Sequence, residues 1–162
     1  KGKAPSARSG HSATIAGDGK VYICGGDSSD EVVLQIHCLD VVSMPMQWSH
    51  PQTQGDPPSG RAWHSATMVG QQLVIFGGED RRFRHTGGER VTLRMNDIHL
   101  LDLKAMQWTG VKPPGECPAQ RCGHSAIFID LIRPHLLWKS GLFVWGGTGM
   151  PTMALEMGDC AG

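Results

Sequence analysis

Arg-Ser-Gly-His-Ser-Ala-Thr (Arg8–Thr14) is followed at Val21–Gly26 by Val-Tyr-Ile-Cys-Gly-Gly. The same phrase returns as Arg-Ala-Trp-His-Ser-Ala-Thr (Arg61–Thr67) and Leu-Val-Ile-Phe-Gly-Gly (Leu73–Gly78). It opens a third time as Arg-Cys-Gly-His-Ser-Ala-Ile (Arg121–Ile127) and Leu-Phe-Val-Trp-Gly-Gly (Leu142–Gly147). The first two copies continue to Ile-His-Cys-Leu-Asp (Ile36–Asp40) and Ile-His-Leu-Leu-Asp (Ile98–Asp102), and each then reaches Met-Gln-Trp, ending at Trp48 and Trp108. Self-similarity at a period of about 50 residues marks a repeat architecture, in which each unit buries its faces against its neighbours.

Within a copy the runs are short and of β type. His11–Ala16 and Val21–Cys24 flank Gly17-Asp18-Gly19, a hairpin signal, and Gly70-Gln71-Gln72 separates the matching runs His64–Val69 and Leu73–Phe76. Val33–Leu39 reads as a third strand, and a short fourth is centred on Trp48. No stretch carries sustained helical periodicity. Four antiparallel strands per unit of this length make a β-propeller blade.

The Gly-Gly, Leu-Asp and Trp marks, with the prefix Pro-x-x-Arg-x-x-His-Ser-Ala, resemble the kelch repeat over residues 5 to about 150. The turns Gly55-Asp56-Pro57-Pro58 and Pro113-Pro114-Gly115 resemble the blade junctions of a kelch subgroup. The expected fold is therefore all-β, a partial propeller spanning 1–162: blade one at 5–57, blade two at 58–117 and an incomplete blade three at 118–162. After Gly147 no Leu-Asp or Trp follows, and the tail Met150–Gly162 offers no assignable third strand. Propellers have about 4–8 blades. This chain is thus expected to be an open fragment of a ring, excised from a longer protein, with further kelch blades needed to close it.

Composition narrows the function. Fifteen basic residues balance fifteen acidic ones, so the basic footprint of a nucleic-acid binder is missing. No apolar run approaches the roughly 20 residues of a membrane helix. The five cysteines are odd in number and lack a C-x-x-C pair, which points to a reducing compartment, the cytoplasm or nucleus. Cys24 and Cys38 read as small buried hydrophobes, Cys117 and Cys122 as unpaired loop thiols.

His11, His64 and His124 share one repeat position and would lie on a ring, a geometry that invites zinc or copper. A position recurring in every blade is better explained by packing, with each His-Ser-Ala bonding backbone at the start of its strand. No metal or cofactor is expected. Asp40 and Asp102 read as acceptors for turn N–H groups, and Trp48 and Trp108 as plates between blades. Enzymes similar to this family use a pair of tyrosines or a Glu-x-x-x-Asp-x-x-x-His string. This chain has one tyrosine, Tyr22, and no such string, so no catalytic role is expected.

What the resemblance implies is a protein-interaction module. The loop leading into the first strand and the loop between the second and third strands emerge on one rim. That rim carries Arg8, Arg61 and Arg121, one per blade, and the insertion Glu79–Met95 with Arg81, Arg82, Arg84, Arg90 and Arg94. Guanidinium forks suit carboxylates, and similar domains take an acidic or C-terminal peptide segment of another protein there. Two readings temper this. The repeated arginines would equally serve as ties between blades, and the basic loop as a solvated surface balanced by Glu79, Asp80 and Glu89. The alternative function is a non-catalytic regulatory kelch domain attached to an enzyme such as a phosphatase or methyltransferase.

Overall fold

The computed structural model describes residues 1–28, 34–80, 92–112, 117–130 and 140–148, and the backbone of 153–156. Strands and no helix occur among them. The first sheet runs β1 (Ser12–Ile15), β2 (Lys20–Cys24), β3 (Ile36–Asp40) and β4 (Gln47–Ser49), all antiparallel and in chain order. The second runs β6 (Ser65–Val69), β7 (Gln72–Asp80), β8 (Leu93–Asp102) and β9 (Gln107–Val111), with the two-residue β5 (Gln54–Gly55) parallel to β9 on its outer edge. The third pairs β10 (Cys122–Ile129), β11 (Gly141–Thr148) and β12 (Met153–Glu156). The sheets follow one another as open propeller blades.

Two expectations change here. β12 supplies blade three with a third strand, registered Leu142↔Leu155 and Phe143↔Ala154, in a tail that carries no strand signal of its own. The insertion of blade two is also shorter than read. β7 and β8 stay paired through Glu79↔Arg94 and Asp80↔Leu93 past a bulge between Phe76 and Gly78, so Glu79 and Asp80 are buried strand residues. They are therefore buried where the sequence reading had them solvated. Arg81, Arg82, Arg84 and Arg90 lie outside the described residues, and so does most of the Asp130–Ser140 insertion.

The run Leu73–Phe76 has no polar member because both faces of this central blade are covered. Alternate residues of a strand point to opposite faces. Leu73 and Ile75, with Leu101 and Trp108, pack on Tyr22, Cys24, Ile36 and Cys38 of blade one. Val74 and Phe76, with Ile98 and Leu100, pack on Leu142 and Val144 of blade three. Each such side chain contributes about 1.5–3 kcal/mol by leaving water. The outward faces of the end blades hold the exposed Ile15, Ile127 and Trp145. Trp108 is the expected plate between blades, while Trp48, on the end blade, is only half-buried.

Asp40 and Asp102 behave as read. The N–H groups of Val42 and Ser43 donate to Asp40 Oδ1, and those of Lys104 and Ala105 to Asp102 Oδ1, at 2.8–2.9 Å. Cys122 departs from its reading: it opens β10, is buried, and donates its Sγ–H to Glu79 Oε2 at 3.2 Å. Burial pushes the Cys24 thiol up to about 12, so it stays protonated and inert.

Candidate interaction rim

The registers Ser12↔Cys24 and Cys24↔Ile36 bring the lead-in loop of blade one to the same end as its second-to-third strand connection. Blade two repeats this through Ser65↔Phe76 and Asp80↔Leu93. Arg8, Arg61, Arg121 and the exposed Arg94 all fall at that end.

The three repeated arginines do not offer three equal forks. Arg61 is 0% exposed and Arg121 1%. Each arginine reaches the carbonyl of the first glycine in its own blade's Gly-Gly. Arg8 Nη1 donates to Gly25 O at 3.0 Å, Arg61 Nη1 to Gly77 O at 3.0 Å and Arg121 Nη1 to Gly146 O at 3.3 Å. Nε donates in every case to the carbonyl two residues earlier, in Ser6, Ser59 and Ala119. These side chains brace a blade internally. The forks of Arg61 and Arg121, expected on the binding rim, lie beneath the surface of this chain.

The backbone of the same residues forms the seams. Gly26 N–H donates to Arg61 O, and Gly78 N–H to Arg121 O, both at 2.9 Å. His64 Nε2 bonds Ser12 Oγ at 2.9 Å, and His124 Nε2 bonds Ser65 Oγ at 3.0 Å. Thr14 and Thr67 hydroxyls reach Ala66 O and Ala126 O across the same seams. His64 and His124 thus bond the serine of the preceding blade, and His124 also meets the backbone of Phe76, a partner of the kind the sequence suggested. Among the described residues no group of three or more His, Cys, Asp or Glu is placed to hold a metal.

Burial, then the positive charge of Arg61, lowers the pKa of His64 to about 3, and burial with Arg121 lowers that of His124 to about 4. Both are neutral when folded and ordinary histidines, near 6.5, when unfolded. Between those values the unfolded chain holds the extra protons, so stability rises with pH. We expect melting temperature to be flat above about pH 7 and to fall steadily from about pH 6.5 towards pH 4. His64 alone contributes up to about 1.4 kcal/mol per pH unit there. Thermal melts between pH 7.5 and 4 check this, and an unchanged midpoint at pH 5 contradicts it.

Arg61 and Arg8 differ in one respect. Arg61 also makes a two-pronged pair with Asp97, Nη1 to Oδ1 at 2.7 Å and Nη2 to Oδ2 at 2.8 Å, and Nη2 reaches Ser59 Oγ. All five of its N–H donors are matched. Burial alone would raise the Asp97 carboxyl pKa, but hydrogen bonds from Arg61 and then His99 hold it well below the ordinary range. Blade one has Gln35 where blade two has Asp97. Arg8 keeps its bonds to Ser6 O, Ser6 Oγ and Gly25 O. No carboxylate pairs with it among the described residues. Its fork is half-buried with two N–H groups to offer, and partial burial lowers its pKa.

Trp63 was not singled out by the sequence reading. It has φ 59°, where the equivalent Gly10 and Gly123 have 65° and 66°. A left-handed conformation costs a residue with a Cβ about 1–2 kcal/mol. The signal was visible as the single letter that breaks Gly-His-Ser-Ala between two copies that keep it.

The profile of the KLHDC2/KLHL20/DRC7 Kelch-repeats domain matches residues 1–149. Human Kelch domain-containing protein 3 is 36% identical over 150 residues, covering 90% of this chain and 35% of that protein. Bovine Kelch domain-containing protein 2 is 40% identical over 112 residues, 69% of this chain and 23% of that protein. The Arabidopsis thaliana acyl-CoA-binding domain-containing protein 5 is 33% identical over 129 residues, 79% of this chain and 18% of that protein. The chain therefore spans about a third or less of these relatives. The solved structure of YjhT superposes with a TM-score of 0.62 at 21% identity, over 90% of this chain and 36% of that one. Kelch-repeat domains are generally protein-interaction modules. This chain belongs to the KLHDC2/KLHL20/DRC7 Kelch-repeat family.

Proposed function

We propose that the chain is part of a kelch propeller that binds a carboxylate-bearing peptide segment of another protein on the lead-in rim, with Arg8 as the receiving fork. One observation carries this reading: among the described residues, nothing takes the two Arg8 N–H donors whose counterparts Arg61 gives to Asp97. A carboxylate from a partner completes at blade one the pattern that blade two completes internally. A charge-assisted bond is worth about 1.5–3 kcal/mol, or roughly 10- to 100-fold in affinity. Arg94, exposed at the start of β8, belongs to the same basic rim, and the sequence adds Arg81, Arg82, Arg84 and Arg90 between β7 and β8, outside the described residues. The reducing cytoplasm or nucleus belongs to this proposal, and the free thiols of Cys24, Cys38, Cys117 and Cys122 support it.

The test is selection from a library of random decapeptides, presented once with free and once with amidated C-termini. The expected result is enrichment of peptides bearing a terminal or side-chain carboxylate, with Arg8→Ala weakening them tenfold or more. Equal affinity of Arg8→Ala would remove Arg8 from the site. Unchanged affinity of the triple alanine variant at Arg81, Arg82 and Arg84 in low salt would remove the loop. A second reading, a regulatory segment of a longer chain with another activity, is favoured by relatives such as the Dictyostelium discoideum Rho GTPase-activating protein gacHH, 32% identical over 78% of this chain.

A further inference from the structure

Each seam joins two unlike halves. The leading half of blade one gives Gly26 N–H, Ser12 Oγ, Thr14 Oγ1 and Gly10 O. The trailing half of blade two meets them with Arg61 O, His64 Nε2, Ala66 O and Trp63 N–H. The next seam repeats the set, with Gly78, Ser65, Thr67 and Trp63 on the leading side. Arg121, His124, Ala126 and Gly123 stand on its trailing side.

One half of each kind is open. Blade three presents a leading half, with Gly147 N–H, Ser125 Oγ and Gly123 O at the positions the seams use. Blade one presents a trailing half, with Arg8 O, His11 Nε2 and Gly10 N–H. His11 and Gly147 are exposed, whereas His64, His124, Gly26 and Gly78 are buried. The space beside the first glycine differs in the same way. Arg61 O and His64 lie against Gly25, and Arg121 O and His124 against Gly77, while nothing lies within 4 Å of a Cβ placed on Gly146 among the described residues.

The apolar residues are divided likewise. Trp145 holds the position of Cys24 and Phe76, which lie in the two seams, and Ile127 that of Thr14 and Thr67; both are 48% exposed. On the other half Ile15, 65% exposed, holds the position of Met68 and Phe128, which pack across their seams. Phe76 meets the His124 ring edge-on with centroids 5.2 Å apart, the contact that Trp145 offers to a His11. The two open halves thus match in donors, acceptors and apolar surface. With Ile127 in place of a threonine, their contact is more apolar than the internal seams, as interfaces between lasting partners are.

We propose that the chain binds a second copy of itself head to tail, the leading half of blade three seating on the trailing half of blade one. Unlike halves of this kind close into rings where the rotation allows. Three sheets per chain give six blades from two copies, within the range of about 4–8, and nine from three copies, outside it. Two equal seams therefore join one pair. Of Arg8 only the carbonyl enters the seam, so this inference does not rest on the peptide site proposed above.

Analytical ultracentrifugation of this chain over a concentration series tests it. The expected result is a monomer–dimer equilibrium that rises from 17.5 kDa to twice that mass and no further. In dilute solution the monomer prevails and Gly146 stands open. Trp145→Glu spoils one half and Ile15→Glu the other, both at exposed positions, and each variant alone should dimerise at least tenfold more weakly. Mixing the two variants restores one intact seam, because Ile15 of one copy meets Trp145 of the other, and a heterodimer should return. A monomer at every concentration overturns the inference. A mass that climbs past the dimer also overturns it, because the contact would then build an open filament. An Ile15→Glu variant that dimerises like wild type overturns the head-to-tail arrangement in favour of two like faces. Absence of the heterodimer from the mixture overturns it as well.

Discussion

Gly77→Ala is expected to lower the melting temperature of this chain by about 6–12 °C. Gly77 sits at φ 60°, and an added Cβ would meet Arg121 O at 2.9 Å and His124 Cε1 at 3.1 Å. Neither neighbour is a flexible side-chain end that can swing away. Arg121 O accepts the seam bond from Gly78, and the His124 ring is fixed by Ser65 Oγ. The left-handed conformation costs about 1–2 kcal/mol, and overpacking adds about 1–3 kcal/mol. A loss near 3 kcal/mol shifts a chain of this size by about 2–4 °C per kcal/mol. Differential scanning calorimetry reads it, and a shift under 2 °C would show that the seam gives way.

Asp97→Ala should cost about 2–3 kcal/mol. The substitution leaves the wholly buried Arg61 with two unmatched donors and no counter-charge. Breaking a buried pair costs about 3–5 kcal/mol. The lower figure applies because the Asp97 carboxylate is 42% exposed, so water reaches one side of the pair. Asp97→Gln recreates the arrangement of blade one and should fall between, since an amide oxygen still accepts one bond. The pH dependence has a definite sign. A carboxyl held below its ordinary pKa adds stability that is full above about pH 4 and is lost as pH falls through the folded value. Urea unfolding at pH 7 measures the difference, and a loss below about 0.5 kcal/mol would contradict the geometry.

Much of the scaffold can be read from the residues because each blade must solve the same packing problem. Gly25-Gly26 and Gly77-Gly78 recur since their φ values, 60° and 101° against 60° and 100°, are the same turn built twice. Asp40 and Asp102 are legible as turn acceptors because the groups they bond lie two or three residues away. The arginines are not legible in this way. Whether a guanidinium is braced or open depends on a carboxylate 36 positions along the chain, Asp97 for Arg61. The aligned pair Gln35-Ile36-His37 and Asp97-Ile98-His99 holds that distinction, but only the fold shows that position 97 faces position 61. β12 escaped notice because Met153–Glu156 lacks the Leu-Asp mark and is set by pairing with β11. Trp63 stands in the sequence as the one departure from Gly-His-Ser-Ala, but only its φ of 59° shows that the position is left-handed.

The central claim is that the repeated residues exist to join one blade to the next. Gly25, Gly77 and Gly146 share a φ of 60–74°, so alanine strains each backbone alike. They differ in surroundings. Gly25 faces Arg61 O at 2.6 Å and His64 Cε1 at 2.8 Å, and Gly77 faces their counterparts, whereas nothing lies within 4 Å of Gly146 among the described residues. The direct measurement is the melting temperature of the three alanine variants of this chain, side by side. Losses at Gly25 and Gly77 at least twice that at Gly146 are predicted, and equal losses at all three would contradict the seam.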